Sequence, residues 1–151
     1  MHGEYFIVKD GKVVSRVPNT ITKAFETAIL NQYFRNTGTP TFYLGLGTCS
    51  NYSRESTMED VVEVTGSGYS RVQIVRDSAE WGEPQSEPQC MRITSAVKTF
   101  SASGDWTEYN RIFIADAASG GNLLSMSDKF DVPVSLSNGD TQSYSYSLYF
   151  K

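Results

Sequence analysis

The strictest constraint in this chain is the alternation at its C-terminal end. Phe130, Val132, Val134 and Leu136 alternate with Asp131, Pro133 and Ser135; beyond the turn-forming run 137–140, Tyr144, Tyr146, Leu148 and Phe150 alternate with serines and Tyr149. Successive side chains of a strand point to opposite faces, so a period of two calls for extended chain with one apolar face. The pattern predicts a C-terminal hairpin turning at Ser137–Asp140, with one face on the core and the other in water. Pro133 has no N–H to give to a ladder, which puts its strand at an edge or a bulge.

A second hairpin is predicted at the other end. Two β-prone runs between Tyr5 and Val17 meet at Asp10-Gly11, the dipeptide that best supplies the positive φ values of a tight two-residue turn. Pro18 is expected to end the second strand. A lone hairpin is marginal in water, so residues 1–18 are expected to form an arm that lies on the domain 19–151 or on a neighbouring molecule. From Thr20 the apolar residues Ile21, Ala24, Phe25, Ala28, Ile29 and Tyr33 follow the spacing of one helix face, predicting a helix over 20–37 capped by Asn19 or Thr20 and ended by Gly38. Leu30 and Phe34 widen its stripe, which is expected to cover a sheet or meet another subunit. Tyr5, Phe6, Val8 and Val13 of the arm and Phe25, Ile29, Tyr33 and Phe34 of the helix are therefore candidate subunit-interface residues.

Between these ends, short strands and turns follow one another. Phe42, Leu44 and Leu46 alternate with Tyr43, Gly45 and Gly47, and the two glycines clear one face for another backbone or a large ring to approach. Residues 50–60 are a polar loop, Gly66-Ser-Gly68 is a turn, and a strand begins near Tyr69. The Glu- and Pro-rich stretch 79–89 is the best candidate for an exposed loop, followed by a strand over Met91–Phe100. Ile112, Phe113 and Ile114 form a continuous apolar run, as in a strand buried on both faces, and a turn over 116–121 leads to Leu123, Leu124 and Met126. With 151 residues, one core is expected; the 9 Tyr and 8 Phe favour strands. The fold class implied is mainly β: a single β-sandwich, of jelly-roll or immunoglobulin-like type, with one amphipathic helix near the N-terminus and an N-terminal hairpin arm.

Chemistry is sparse. The 13 Lys and Arg against 17 Asp and Glu give a net charge of -4, which disfavours a nucleic-acid partner because phosphate binding needs clustered positive charge. No apolar run approaches the roughly 20 residues of a membrane span, and Met1-His-Gly-Glu4 lacks the basic and apolar regions of a signal peptide, so synthesis in a host cytoplasm is expected. The single histidine, His2, leaves no base for a Ser-His-acid arrangement, and Gly66-Ser-Gly68 is not a full nucleophile elbow. Leu44-Gly-Leu-Gly-Thr48 lacks the third glycine of a dinucleotide loop. Glu59, Asp60, Glu80, Glu83 and Glu87 are better explained as solvated loop acids than as a glycosidase pair, and Asp116 and Asp140 as turn residues than as calcium ligands. Cys49 and Cys90 have no ligand-spaced company and fit ordinary thiols. No catalytic, cofactor or metal residue is assigned. Tyr52, Trp81, Trp106 and Tyr109 are candidates for a sugar-stacking surface, against the plainer reading of rings in the core and at its rim.

Four segments in a fixed order carry a resemblance: Phe42-Tyr-Leu-Gly-Leu-Gly-Thr48, Glu63-Val-Thr-Gly-Ser-Gly-Tyr-Ser-Arg71, Ile112-Phe-Ile-Ala-Asp-Ala-Ala-Ser-Gly-Gly-Asn-Leu-Leu124, and the Gly139-Asp140 turn before the last strand. Over about residues 20–151 the chain resembles small virion structural proteins of tailed bacteriophages, of tail-fibre, minor-tail or capsid-decoration type. The resemblance implies a non-enzymatic particle component, a homo-oligomer held to other virion proteins. Within that class, the lack of a repetitive shaft sequence leads us to expect a capsid decoration or minor capsid role. The alternative is a tail fibre or tail-associated module recognising host-surface glycan.

Overall fold

A computed structural model describes residues 2–35, 41–88 and 90–150. In chain order these form β1 (His2–Lys9), β2 (Lys12–Ile21), α1 (Lys23–Leu30), β3 (Phe42–Thr48), β4 (Val62–Glu63), β5 (Val72–Ile74), β6 (Gln85–Glu87), β7 (Cys90–Thr94), β8 (Lys98–Ser101), β9 (Arg111–Ala115), β10 (Leu123–Ser127) and β11 (Thr141–Phe150). The fold is mainly β, as expected, but its strands are not divided between the two sheets of a sandwich. All eleven belong to one antiparallel sheet of order β4-β3-β9-β10-β2-β1-β11-β7-β6, with β5 beside β4 on β3 and β8 beside β7 on β11. Layers arise because the sheet curls: β5 from one flank approaches β8 from the other, and Gly66 bridges to Trp106.

Alternation then sorts the side chains. Tyr5, Ile21, Leu44, Leu46, Ile74, Phe100, Ile112, Ile114, Leu124, Tyr144 and Tyr146 share the core inside the curl. On the opposite face of β3, β9 and β10, Phe113, Ala115, Leu123 and Met126 pack with Cys49 under Tyr52, Met58 and Val61. Strand β9 is thus buried on both faces, as its continuous apolar run predicts. Gly45 faces Phe113 so closely that a Cβ there would lie 2.3 Å from the ring, and one at Gly47 would lie 2.7 Å from the Val62 carbonyl oxygen. Ring and backbone each take the space that a missing side chain leaves.

The predicted N-terminal hairpin is present. Asp10 and Gly11 have φ of 49° and 72°, the two positive values a type I′ turn needs, and the pairing of Lys9 with Lys12 closes a two-residue loop. Strand β1 lies between β2 and β11, paired with the latter from His2 and Tyr149 to Val8 and Ser143. Pro18 does not end β2, which continues to Ile21 and pairs it with Ser125 of β10. The Pro18 carbonyl accepts the Asp128 N–H at 2.8 Å, so nitrogen and oxygen of this residue face past the end of β10 and the ring displaces no bond to β1.

That extension moves the helix start. Thr22, not Asn19 or Thr20, is the cap: its hydroxyl accepts the Phe25 N–H at 3.4 Å and donates to the Leu123 carbonyl at 2.6 Å, tying α1 to β10. The helix continues as a π-helical turn over Asn31–Arg35; the expected end at Gly38 lies outside the described residues.

The C-terminal hairpin does not form. Residues 128–140 run irregularly, joined to Tyr109 by an isolated bridge at Val134 and to β2 by the Asp128 N–H, and Val132 is 75% exposed. Pro133 removes a donor, and β11 already has β1 on one edge and β7 and β8 on the other, so no edge remains for a partner. Nor is the second face of β11 in water. Ser145 and Ser147 are buried beside Phe6, over whose ring lie the Arg16 and Arg92 guanidiniums. The single strand expected over Met91–Phe100 is broken at 95–97, where Ala96 N–H turns to the Glu80 carbonyl at 2.6 Å and Val97 swings outward.

Buried tyrosines hold the curl together. Tyr5 shares a 2.5 Å hydrogen bond with Ser125, and Tyr109 one of 2.7 Å with Tyr144. Burial raises the hydroxyls of Tyr109 and Tyr146 from 10.0 to about 12, and that of Tyr5 well above the ordinary tyrosine value. Folded pKa values above the unfolded ones mean that the folded state holds these protons longer. Their stabilisation is complete below pH 10 and is lost as pH rises toward 12. Urea unfolding followed by far-UV circular dichroism should give a level stability from pH 7.5 to about 9.5 and a steep fall above about 10, near the reference tyrosine pKa. A level profile to pH 12 would contradict this. Removing residues 1–18 takes away β1 and its ladder with β11, so the shortened chain should lose cooperative unfolding; a sharp thermal transition in it would show the arm to be separable.

Candidate functional site

One end of the curl is left open, and α1 leans over it. Phe25, held by the Thr22 cap, meets Phe42 edge-on at 5.6 Å between centroids; Phe42 meets Trp81 at 5.6 Å, and Trp81 meets Tyr146 at 6.5 Å. Phe25, Phe42 and Trp81 of this chain of rings line a cavity of about 460 Å³, with Ile29, Ile93 and Leu148 beside them and Gln32, Arg76, Asp77, Ser78, Gly82, Glu83 and Pro84 around it. Concave apolar sites with a few polar groups are where small molecules usually bind, and mouths of curled sheets are common places for them.

The rim is built, not slack. Asp77 Oδ1 accepts the N–H groups of Ala79 at 3.0 Å and Glu80 at 2.9 Å, an acid folding its own turn. The Trp81 N–H donates to the Asp77 carbonyl and the Gly82 N–H to the Thr94 carbonyl, each at 3.0 Å. Glu80, the next acid, pairs with Lys98 across to β8. Trp81 is therefore fixed against β7 from both sides while its neighbours Gly82, Glu83 and Pro84 stay exposed.

The four residues proposed from sequence as a sugar-stacking surface are not brought together. Trp106 and Tyr109 are buried, with Trp106 Nε1 donating to the Ser67 carbonyl at 2.8 Å. Tyr52 is half-buried over the opposite face of the sheet and donates to the Thr20 carbonyl at 2.5 Å. Trp81 is the member that stands at a cavity, and its companions there, Arg76, Asp77, Ser78 and Glu83, were not singled out as a group. The acidic, proline-broken composition of 79–89 pointed to the loop, but nothing in it pointed to Ile93, Leu148 and the helix.

The candidate interface residues divide differently. Tyr5, Phe6, Val8 and Phe25 are buried within the chain, Ile29 lines the cavity, and Val13 is 51% exposed. The side chains of Tyr33 and Phe34 lie outside the described residues. Cys49 and Cys90 form no disulfide. Asp60 closes a capping box with Thr57, Asp116 accepts from the Asn122 backbone and side chain, and Asp140 accepts from the Ser137 N–H, so each serves a turn. Among the described residues no three His, Cys, Asp or Glu side chains converge as a metal site, and no helix is long and apolar enough to cross a membrane.

Three of the four segments that carried the resemblance come together around Arg71, away from this cavity. Arg71 Nε and Nη2 donate to the two Glu63 oxygens at 2.9 and 2.8 Å, and Nη1 donates to the carbonyls of Ala117 and Gly120 at 2.7 and 2.9 Å. Its guanidinium lies 5.1 Å from the centre of Phe113, the ring that occupies the space over Gly45. The Tyr69 hydroxyl donates to Glu63 Oε1 at 2.8 Å, and burial pushes it well above the usual tyrosine range.

A family model described as podophage GP4 fiber I protein gp80 matches residues 20–147, from the end of β2 to the last turns of β11. The chain belongs to the podophage GP4 fiber I protein gp80 family. This is a tailed-phage virion structural protein family of fibre type, as the order of the four segments suggested. The gp80 family match favours the tail-fibre alternative over the capsid decoration role expected from the absence of shaft repeats. A search of the curated proteins finds no match.

The clasp around Arg71 lies within the matched residues. Its side chain is only 2% exposed and Glu63 27%, so breaking the pair leaves a buried charge uncompensated. Glu63→Gln should cost about 3 kcal/mol, the low end for a buried ion pair because Glu63 is partly wet. At roughly 2–4 °C per kcal/mol for a chain this size, calorimetry should show Tm falling by about 6–12 °C. A change under about 2 °C would mean that the pair is dispensable.

Proposed function

We propose that this chain is a non-catalytic subunit of a tail fibre, made in the host cytoplasm and assembled as a homo-oligomer with other virion proteins. The observation that carries this reading is the fibre family match over residues 20–147, which takes in β3 to β10 and most of β11. The chemistry agrees: the carboxylates outside ion pairs cap turns or stand on exposed loops, which is how a structural module uses them. Exposed apolar side chains, Val13 and Val14 on the hairpin, Val62 on β4 and Val132 in the irregular segment, offer surface for contacts between copies or with neighbouring proteins.

Gold-conjugated antibody against the purified protein, applied to intact particles under the electron microscope, should decorate the tail region. Gold confined to the capsid shell would overturn the fibre assignment and restore the decoration role. Light scattering on the purified protein should give a mass several times that of one chain; a single-chain mass at every concentration would overturn the homo-oligomer.

A further inference from the structure

We propose that the cavity beneath α1 is a saccharide site, and that its ligand is an uncharged sugar stacked on Trp81. This deepens the fibre reading and rests on it only for the biological source of the sugar. The argument is chemical. A pyranose has an apolar C–H face and a ring of hydroxyls that each donate and accept. A site for it needs an aromatic floor and a rim holding both donors and acceptors. Phe25, Phe42 and Trp81 with Ile93 and Leu148 supply the first; Arg76, Asp77, Ser78 and Glu83 supply the second.

Two observations separate this cavity from a gap in packing. The Arg76 guanidinium and the Glu83 carboxylate are exposed at its rim with no hydrogen-bond or ion-pair partner among the described residues, although they flank the same opening. The two tryptophans also differ. Trp106 is buried and its Nε1 is satisfied by Ser67, whereas Trp81 is half-buried and its Nε1 has no acceptor among the described residues. Buried polar groups are normally paired, so the unmatched and solvent-inaccessible Nε1 sets the Trp81 ring apart from that of Trp106. The volume, about 460 Å³, lies within the roughly 300–1,000 Å³ range of ligand clefts.

Charge selects among sugars. The rim carries one cation, Arg76, and two carboxylates, Asp77 and Glu83, so an acidic sugar meets more repulsion than attraction and a neutral one meets none. An apolar peptide side chain or alkyl chain would fill the floor but leave Arg76 and Glu83 without use.

Tryptophan fluorescence of the full chain reports on the site, because Trp106 is buried and Trp81 lines the cavity. The probes are lactose, maltose, cellobiose and N,N′-diacetylchitobiose, with sialyllactose as the acidic sugar and hexanol as the alkyl probe. At least one neutral disaccharide should give a saturable shift at millimolar concentration. Affinity should fall at least tenfold in Trp81→Ala and about three- to tenfold in Glu83→Gln and in Arg76→Gln, whose exposed side chains leave folding intact. Circular dichroism confirms the fold of each variant, and the two rim variants keep the test valid where Trp81→Ala fails to fold. No saturable shift with any neutral sugar would overturn the proposal. So would tighter binding of sialyllactose than lactose, a response to hexanol alone, or unchanged affinity in the rim variants. Gold on the tail with no sugar bound would sink the site and leave the fibre reading standing; gold on the capsid with sugar bound would do the reverse.

Discussion

One side chain, Arg71, sets the condition that the flank of the sheet must meet. A guanidinium cannot give up its proton inside a protein, so a buried one must find acceptors for its fork of donors. Glu63 on β4 takes two bonds, and Ala117 and Gly120 in the turn between β9 and β10 take two more. Strand β4 has only two residues and β5 three, too few to hold a place by backbone bonding alone. The arginine supplies what the ladder lacks, and it does so only when turn, strand and Phe113 ring are all in position. Gly45 belongs to the same arrangement, because any side chain there would push Phe113 off the arginine. A lysine could keep the charge but could not reach two carboxylate oxygens and two carbonyls at once.

How far the sequence revealed the fold depended on whether local rules and tertiary partners agreed. Asp10-Gly11 has almost one way to turn, and Ile112 to Ile114 almost one environment to occupy, so both were legible. The alternation at 130–136 failed because a period of two requires extended chain but does not guarantee a neighbouring strand. With Pro133 in the segment and both edges of β11 taken, it is held by scattered bonds, such as the Tyr109 bridge to Val134 and the Phe130 N–H to the Asn110 carbonyl, and not by a strand partner. Helix capping failed for the converse reason. Asn19, Thr20 and Thr22 are equally good caps by chemistry, and the pairing of β2 with β10 decided among them.

The candidate site was less legible than the fold, and the cause is geometric. Its residues come from α1, the start of β3, the segment 76–84, β7 and β11, and no spacing rule links Phe25 to Leu148. Sequence could propose Trp81 as one of four exposed aromatics, but aromatic content does not say which rings the curl will bury. Tyr109 sits just before β9, which is buried on both faces, and Trp106 beside the Gly66 turn, so both are used by the core. What the sequence did signal was exposure: three glutamates and two prolines over 79–89 left little to bury.

The same contrast bears on the two roles proposed for this chain, assembly and recognition. The clasp at Arg71 closes one side of the curl with nearly every polar atom paired, as a part that must survive in a particle should be. The opening under α1 is the reverse, with a tryptophan donor unpaired and rim charges unneutralised. An unpaired buried donor costs about 1–3 kcal/mol, a loss comparable with what the clasp contributes. A fold that can satisfy Trp106 through a single carbonyl could satisfy Trp81 as cheaply, by closing the loop over it. Gly82 has no backbone or side-chain atom nearer than 3.7 Å to the place a Cβ would occupy, so space for such closure exists and is not filled. A ligand at the proposed sugar site would take up that space.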